Sequence, residues 1–213
     1  PISLLSSPAL IGWQLVAKRT LDVSGALAGL VLLSPLLALS AIAVKLTSPG
    51  PVLFRQRRVG LGGETFEMLK LRTMVRDADA RCEEVQGVNV YGDPRLFKAA
   101  GDPRVTPIGH FLRRSSLDEL PQLWNVLRGE MSLVGPRPPL PREVAQYRVS
   151  DYVRFEVAPG ITGPWQVSGR NEITDFEAVV ELEQRYIAGW TVWRDLGLLI
   201  RTVPAVLSMR GAL

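Results

Sequence analysis

Asp118 and Glu119 stand side by side in SSLDELPQLWN (115–125), the sharpest local signal in the chain. An adjacent carboxylate pair can hold a divalent cation, supply a nucleophilic oxygen or move a proton. The neighbours are strongly basic. Arg113, Arg114 and Arg128 are close in sequence, Arg137 lies between prolines in GPRPPLP, Arg170 follows Gly169 in SGRN, and Lys70 and Arg72 close KLRT. Arginines on stiff loops grip phosphate oxygens through paired hydrogen bonds. Carboxylates beside phosphates suggest Mg²⁺, which takes one or two carboxylates plus substrate oxygens. One carboxylate would attack phosphorus to give an acyl phosphate, while cation and arginines offset charge on the transferring group. The same residues have a structural reading. Ser-x-x-Glu is a capping box, acidic residues suit the positive end of a helix dipole, and Pro121 is tolerated in a first helical turn. The spacing leaves both readings open.

Other chemistries find less support. There is no GxxxxGK[ST] phosphate loop, and Leu61-Gly62-Gly63 reads as a hairpin turn. His110, the sole histidine, precedes Phe111-Leu112 and reads as structural, which weakens Ser-His-Asp catalysis. Cys82 is the sole cysteine, so no intrachain disulfide and no cysteine metal cluster forms, a count that suits a reducing compartment. Asp102 and Arg104 in GDPRVTPIG read as turn-shaping residues.

The elements that must position these groups follow from hydropathy and breakers. Residues 25–44 form an uncharged apolar run, with Lys18 and Arg19 before it, Lys45 after it and Pro35 in its middle. As a straight helix the run is roughly 30 Å long, enough to cross a bilayer core. Basic residues at both ends claim the cytoplasmic side for both, and Pro35 favours a kink. A helix that enters the membrane, bends at Ser34-Pro35 and returns reconciles these facts. A single span and a buried core helix are the alternatives. The domain reading is a segment 1–17, a membrane element 18–46 and a catalytic domain 47–213. Within the last, 52–60 and 64–74 predict a β-hairpin, 74–85 a short charged helix and 86–107 a long loop. A helical pattern at 108–127 breaks near Ser115-Ser116, 142–156 predicts a helix, and PGITG (159–163) a turn. Amphipathic helices are predicted over 175–188 and 195–209. Trp190 and Trp193 between them, with Arg194, Arg201 and Arg210, suit either a membrane interface or ordinary core packing.

With these motifs in hand, the chain resembles the bacterial sugar transferases, the polyprenyl-phosphate hexose-1-phosphate transferases (monotopic phosphoglycosyl transferases). The matching stretches are KRTLDVSGALAGLVLLSP (18–35), SPGPVLFRQRRVG (48–60), FEMLKLRTM (66–74), DPRVTPIGHFLRRSSLDELPQLWNVLRGEMSLVGPRP (102–138), PGITGPWQVSGRN (159–171) and WTVWRDLGLLIRTVPAVL (190–207). The resemblance implies a mainly α fold with a small β-hairpin, a re-entrant membrane helix bent at Ser34-Pro35, amphipathic interfacial helices and a cytosolic catalytic domain at the bacterial inner membrane. It implies transfer of a sugar-1-phosphate from a UDP-sugar to a polyprenyl phosphate, with release of UMP, as a first step in exopolysaccharide or lipopolysaccharide synthesis. It implies Mg²⁺ held by Asp118 and Glu119, attack by Asp118 to form a covalent aspartyl-phosphosugar, and phosphate contacts from Arg137, Arg170, Lys70, Arg72 and Arg114. After SGRN the chain departs from the family pattern at Ile173-Thr174-Asp175 and Leu182-Glu183, and in PGITGPWQVSG at Pro164 and Ser168, positions that bear on sugar specificity and loop shape.

A net charge of +4 suits phosphorylated substrates or an anionic phospholipid membrane. Nucleic acid fits the charge but no recognition motif supports it. The competing function is a non-catalytic, membrane-anchored basic scaffold binding phospholipid or an acidic partner. A homo-oligomer is left open.

Overall fold

The computed structural model describes residue 10, residues 12–75, 78, 93, 95, 102–168 and 175–207. Most of the expected helix at 74–85 and most of the 86–107 loop, with Cys82, Arg170 and Arg210, lie outside the described residues, and Met74, at the start of that helix, instead bridges Val105. The described chain is mostly helical with one small antiparallel hairpin, as the sequence predicts.

Helix α1 runs Trp13–Thr47, with Pro35 inside it. It is long and apolar enough to cross a membrane. Its buried positions, Lys18, Asp22, Ala26, Ser40 and Val44, lie on one stripe and in both halves of the helix. Residues 31–36 are all exposed, which is more than one helical turn, so around Ser34-Pro35 the helix stands off the rest of the protein on every side. In the first half Gly25 permits a close approach: a Cβ there would lie 2.5 Å from Leu133 Cδ1.

Strands β1 (Leu53–Val59) and β2 (Thr65–Leu71) pair from Leu53↔Leu71 to Val59↔Thr65 around a 3₁₀ turn at Leu61–Gly63. Alternation puts Phe54, Gln56 and Arg58 on one face with Phe66, Met68 and Lys70, and sends Arg55, Arg57 and Glu67 to solvent. Helix α2 (Pro107–Arg114) starts where the Thr106 hydroxyl accepts from Gly109 N, with Pro107 in the first turn. It ends at Ser115, and Ser116 turns the chain with a left-handed φ of 56°. A 3₁₀ turn, Leu117–Glu119, then leads into α3 (Gln122–Arg128), which Gly129 closes at φ 84°.

The sequence did not predict β3 (Ser132–Val134) and β4 (Gly160–Thr162), a short parallel pair. Three residues are too few for a hydropathy period, and PGITG, read as a turn, pairs because Gly135 and Gly160 touch backbone to backbone. A Cβ at Gly160 would meet Gly135 N at 2.1 Å. The expected helix over 142–156 is corrected to α4 (Pro141–Val144) and a 3₁₀ stretch at Val149–Phe155. Helices α5 (Pro164–Val167), α6 (Phe176–Ala188) and α7 (Val192–Leu207) complete the chain.

The main core joins Ala26 of α1 to Met68, Leu123, Val126, Met131, Leu133, Val134, Tyr186, Ile187 and Trp190. A second cluster, Val44, Leu71 and Leu112, packs the far half of α1 against β2 and α2. Each fully buried aliphatic side chain in these clusters contributes about 1.5–3 kcal/mol. Both halves of α1 are therefore anchored by burial.

Candidate active site

The carboxylate pair sits on the 3₁₀ turn between α2 and α3, not in the first turn of a helix. The capping reading fails on geometry. Ser116 makes no side-chain cap hydrogen bond, Ser115 Oγ instead donates to Phe111 O, and no side chain caps α3. The left-handed Ser116 points the turn inward, so Asp118 is 6% exposed, whereas Glu119 is only part-buried.

Lys70 reaches across from β2 and binds Glu119 Oε1 at 2.8 Å. The register of β2 against α3 is fixed by Asn125, which is fully buried. Its Oδ1 accepts from Leu69 N at 3.0 Å, and its Nδ2 donates to Glu67 O and to Glu130 Oε2. One amide side chain thus sets the strand residues on either side of Met68 and, with them, Lys70. Arg113 comes in from α2 with its Nε donating to Thr73 Oγ1 at 3.0 Å. Burial pushes the Asp118 carboxyl up to about 6. Lys70 pulls against the rise, Glu119 adds to it and Arg113 opposes it. At neutral pH Asp118 is mostly ionised yet more basic than a free aspartate, a combination that suits a nucleophile.

The other predicted residues divide. Arg137 lies on the Gly135–Pro139 segment, where its backbone N donates to Glu183 Oε1 and its carbonyl accepts from Arg154 Nη2. Glu183 is itself buried and paired with Arg154, so the segment carrying Arg137 rests on a charged strut. Arg72 is buried and donates through Nη2 to Ser48 O and Oγ, tying the end of β2 to the end of α1. Arg114 is exposed at the end of α2, and it is Arg113 that faces Asp118. Ser34 donates from Oγ to Val31 O in the turn that leads into Pro35. Sequence inspection passed over Arg58, whose guanidinium lies against the Arg137 segment, donating from Nη1 to Pro138 O at 2.9 Å. Counting strand alternation from Lys70 would have found it, since both sit on the inner face of the hairpin.

Of the two tryptophans between α6 and α7, Trp190 is core, 4% exposed, and Trp193 is 80% exposed. A cleft of about 480 Å³ is lined by Trp193 with Arg185, Arg194 and Arg201, and the carboxylate pair does not line it. Two carboxylates suit Mg²⁺ when phosphate oxygens complete its shell, and among the described residues no larger cluster of metal-ligating side chains is present.

A family model described as bacterial sugar transferase matches residues 13–209. Galactosyl transferase CpsE of Streptococcus agalactiae is 43% identical over 199 residues, 93% of this chain and 44% of its own length. UDP-galactose-lipid carrier transferase of Erwinia amylovora is 43% identical over 198 residues, 92% of this chain and 41% of its own. UDP-glucose:undecaprenyl-phosphate glucose-1-phosphate transferase of Caulobacter vibrioides is 48% identical over 204 residues, 92% of this chain and 71% of its own. The chain spans less than half the length of the first two of these relatives. A match over nearly the whole chain, running through the buried aspartate, its lysine-paired neighbour and the braced arginine, places this protein in the bacterial sugar transferase family.

Proposed function

We propose that the protein transfers a sugar-1-phosphate from a UDP-sugar to a polyprenyl phosphate at the cytoplasmic face of the bacterial inner membrane. The observation that carries the reading is Asp118: buried, raised to about 6, free of any capping role, and set among Lys70, Glu119 and Arg113. The printed names of the relatives, a lipid carrier transferase and an undecaprenyl-phosphate glucose-1-phosphate transferase among them, support donor and acceptor of these classes.

The chemistry proceeds in two displacements. A carboxylate oxygen of Asp118 bonds to the β-phosphorus, and the bond from that phosphorus to the bridging oxygen breaks, its electron pair leaving with UMP. An oxygen of the polyprenyl phosphate then bonds to the same phosphorus and displaces the carboxylate, giving polyprenyl diphosphate-sugar and free Asp118. Glu119, held by Lys70, and Asp118 would hold Mg²⁺, which supplies Lewis-acid charge neutralisation on the phosphoryl oxygens. Arg137, whose backbone is braced by Glu183 and Arg154, meets phosphate from a segment already fixed in place.

The exposed turn at residues 31–36 of α1, anchored by buried residues on either side, supports a re-entrant helix that bends at Ser34-Pro35. That topology leaves the carboxylate pair at headgroup level, where a dissolved donor and a lipid acceptor both reach it. The arginine-lined cleft with Trp193 fits an anionic interface.

The test is UMP release. Detergent-solubilised protein with polyprenyl phosphate and a panel of UDP-sugars should release UMP with at least one donor. EDTA should stop the release and Mg²⁺ should restore it. Binding of a UDP-sugar with no UMP release from any donor would favour the scaffold reading instead.

A further inference from the structure

Arg58 is a buried cation that forms no direct ion pair among the described residues. It is 5% exposed, and among the described residues no carboxylate lies within ion-pairing distance. Its Nε and Nη2 both donate to Gln56 Oε1, at 3.1 and 2.7 Å, and its Nη1 donates to Pro138 O at 2.9 Å. A guanidinium carries five N–H donors, so two remain beyond these three bonds. The strand is clipped to the same segment by Val59 N, which donates to Pro139 O. Arg58 is thereby fixed against the residue that follows Arg137, a like charge, while Glu143, the buried carboxylate that acts most on it, is engaged by Leu140 N. Burial first and the Arg137 charge second push its pKa down to about 9, against the opposing pull of Glu143 and Glu119, and it is still protonated at neutral pH. A buried guanidinium and a part-buried one close enough to repel are relieved when an anion joins them. That is the electrostatic signature of an anion receptor.

Its place on the hairpin selects the anion. The Leu53↔Leu71 end lies beside α1, since Leu71 packs with Val44 and Val52. Lys70, next to that end, serves the carboxylate pair. Arg58 lies four residues farther along the same inner face, about 13 Å away. A lipid phosphate approaches from the side of α1, whereas a water-soluble nucleotide approaches from the other. We propose that Arg58, with Arg137, binds the nucleotide-side phosphate of the donor, the group that leaves as UMP. This rests on the transferase reading above. It makes Arg58 a direct ligand, beyond its role in positioning the proline-rich segment.

The experiment uses the full chain in detergent, with UMP as probe. UMP should raise the melting temperature of the wild type and of Arg57→Ala, which alters the solvent face of the same strand. Arg58→Lys and Arg58→Met should weaken UMP affinity about ten- to hundredfold, the effect of losing a charge-assisted bidentate contact. Arg58→Lys keeps charge and most of the volume, so it stays folded even if Arg58→Met does not. In turnover, Arg58→Lys should lower kcat/KM for the UDP-sugar by a similar factor and leave kcat/KM for the polyprenyl phosphate within about threefold, because the two half-reactions are separate. Unchanged UMP affinity in Arg58→Lys would overturn the assignment. So would a wild type that UMP does not stabilise, or a loss that falls equally on both substrates or on the acceptor alone. A wild type that binds UMP but transfers no sugar phosphate would instead sink the functional reading, while the UMP titration still reports on Arg58.

Discussion

Asp118 is held in a state that costs stability. Its carboxyl is raised from 3.8 to about 6 by burial, so the fold favours the protonated form. The sign follows from linkage. A group raised on folding contributes stability below its unfolded pKa, and that contribution is lost as pH rises through about 6. Asp118→Asn should therefore abolish transfer and yet stabilise the protein at pH 7, by on the order of 1–3 kcal/mol. Denaturant melts at several pH values check this, and the gain should shrink as pH is lowered from 7 towards 4. Activity should fall with protonation of Asp118 below about pH 6. The carboxylate pair was legible in the sequence because DELPQLWN puts two acids beside a proline and among arginines. The choice between capping and chemistry was not legible. It depends on the left-handed turn at Ser116, which a serine rarely adopts and no propensity announces.

At the scale of elements, two buried polar devices fix the site. Asn125 satisfies Leu69 N and Glu67 O, so Asn125→Ala strands a donor and an acceptor and should cost about 2–3 kcal/mol. The loss should appear in the melting temperature, and activity should fall more steeply than stability because Lys70 loses its register. The second device ties α1 to α7. Lys18 Nζ meets Asp195 Oδ2 at 2.7 Å, with both residues buried, and Tyr186 Oη donates to Asp195 Oδ1 at 2.6 Å. Lys18→Met leaves a buried carboxylate uncompensated and should cost about 3–5 kcal/mol, whereas the double change Lys18→Met with Asp195→Leu should recover most of the loss. Hairpin, α6 and α7 were legible from period and breakers. The β3–β4 pair was not, because a three-residue parallel bridge is written in the close contact of Gly135 with Gly160 rather than in any hydropathy pattern. Lys18 read as a flanking topogenic charge. Its burial against Asp195 is a contact 177 residues away in sequence and has no local signature.

For the whole molecule, the account places one face on lipid and one in water. Both halves of α1 return buried residues to the same body, and the turn between them at residues 31–36 is exposed. Single-cysteine labels at Trp13 and Leu46, both exposed, should react with impermeant reagent from the cytosolic side only. Labels on opposite sides would establish a full span. Pro35→Ala restores the backbone donor that proline lacks, disfavours the proposed bend and should shift part of the population to that spanning topology. The apolar run and its flanking charges were readable at once, since twenty consecutive uncharged, mostly apolar residues are a matter of composition alone. How α1 seats on α3 and β2 was not readable, because it is set by tertiary packing at Gly25, Val44 and Leu71.

The central claim is that a side-chain oxygen of Asp118 carries the sugar phosphate between donor and acceptor. Rapid acid quenching of enzyme mixed with radiolabelled UDP-sugar, in the absence of polyprenyl phosphate, measures this directly. The account predicts label on the polypeptide, near one equivalent per chain, mapped to Asp118 and chased off by adding polyprenyl phosphate. Product formation with no label ever trapped on the chain would contradict it.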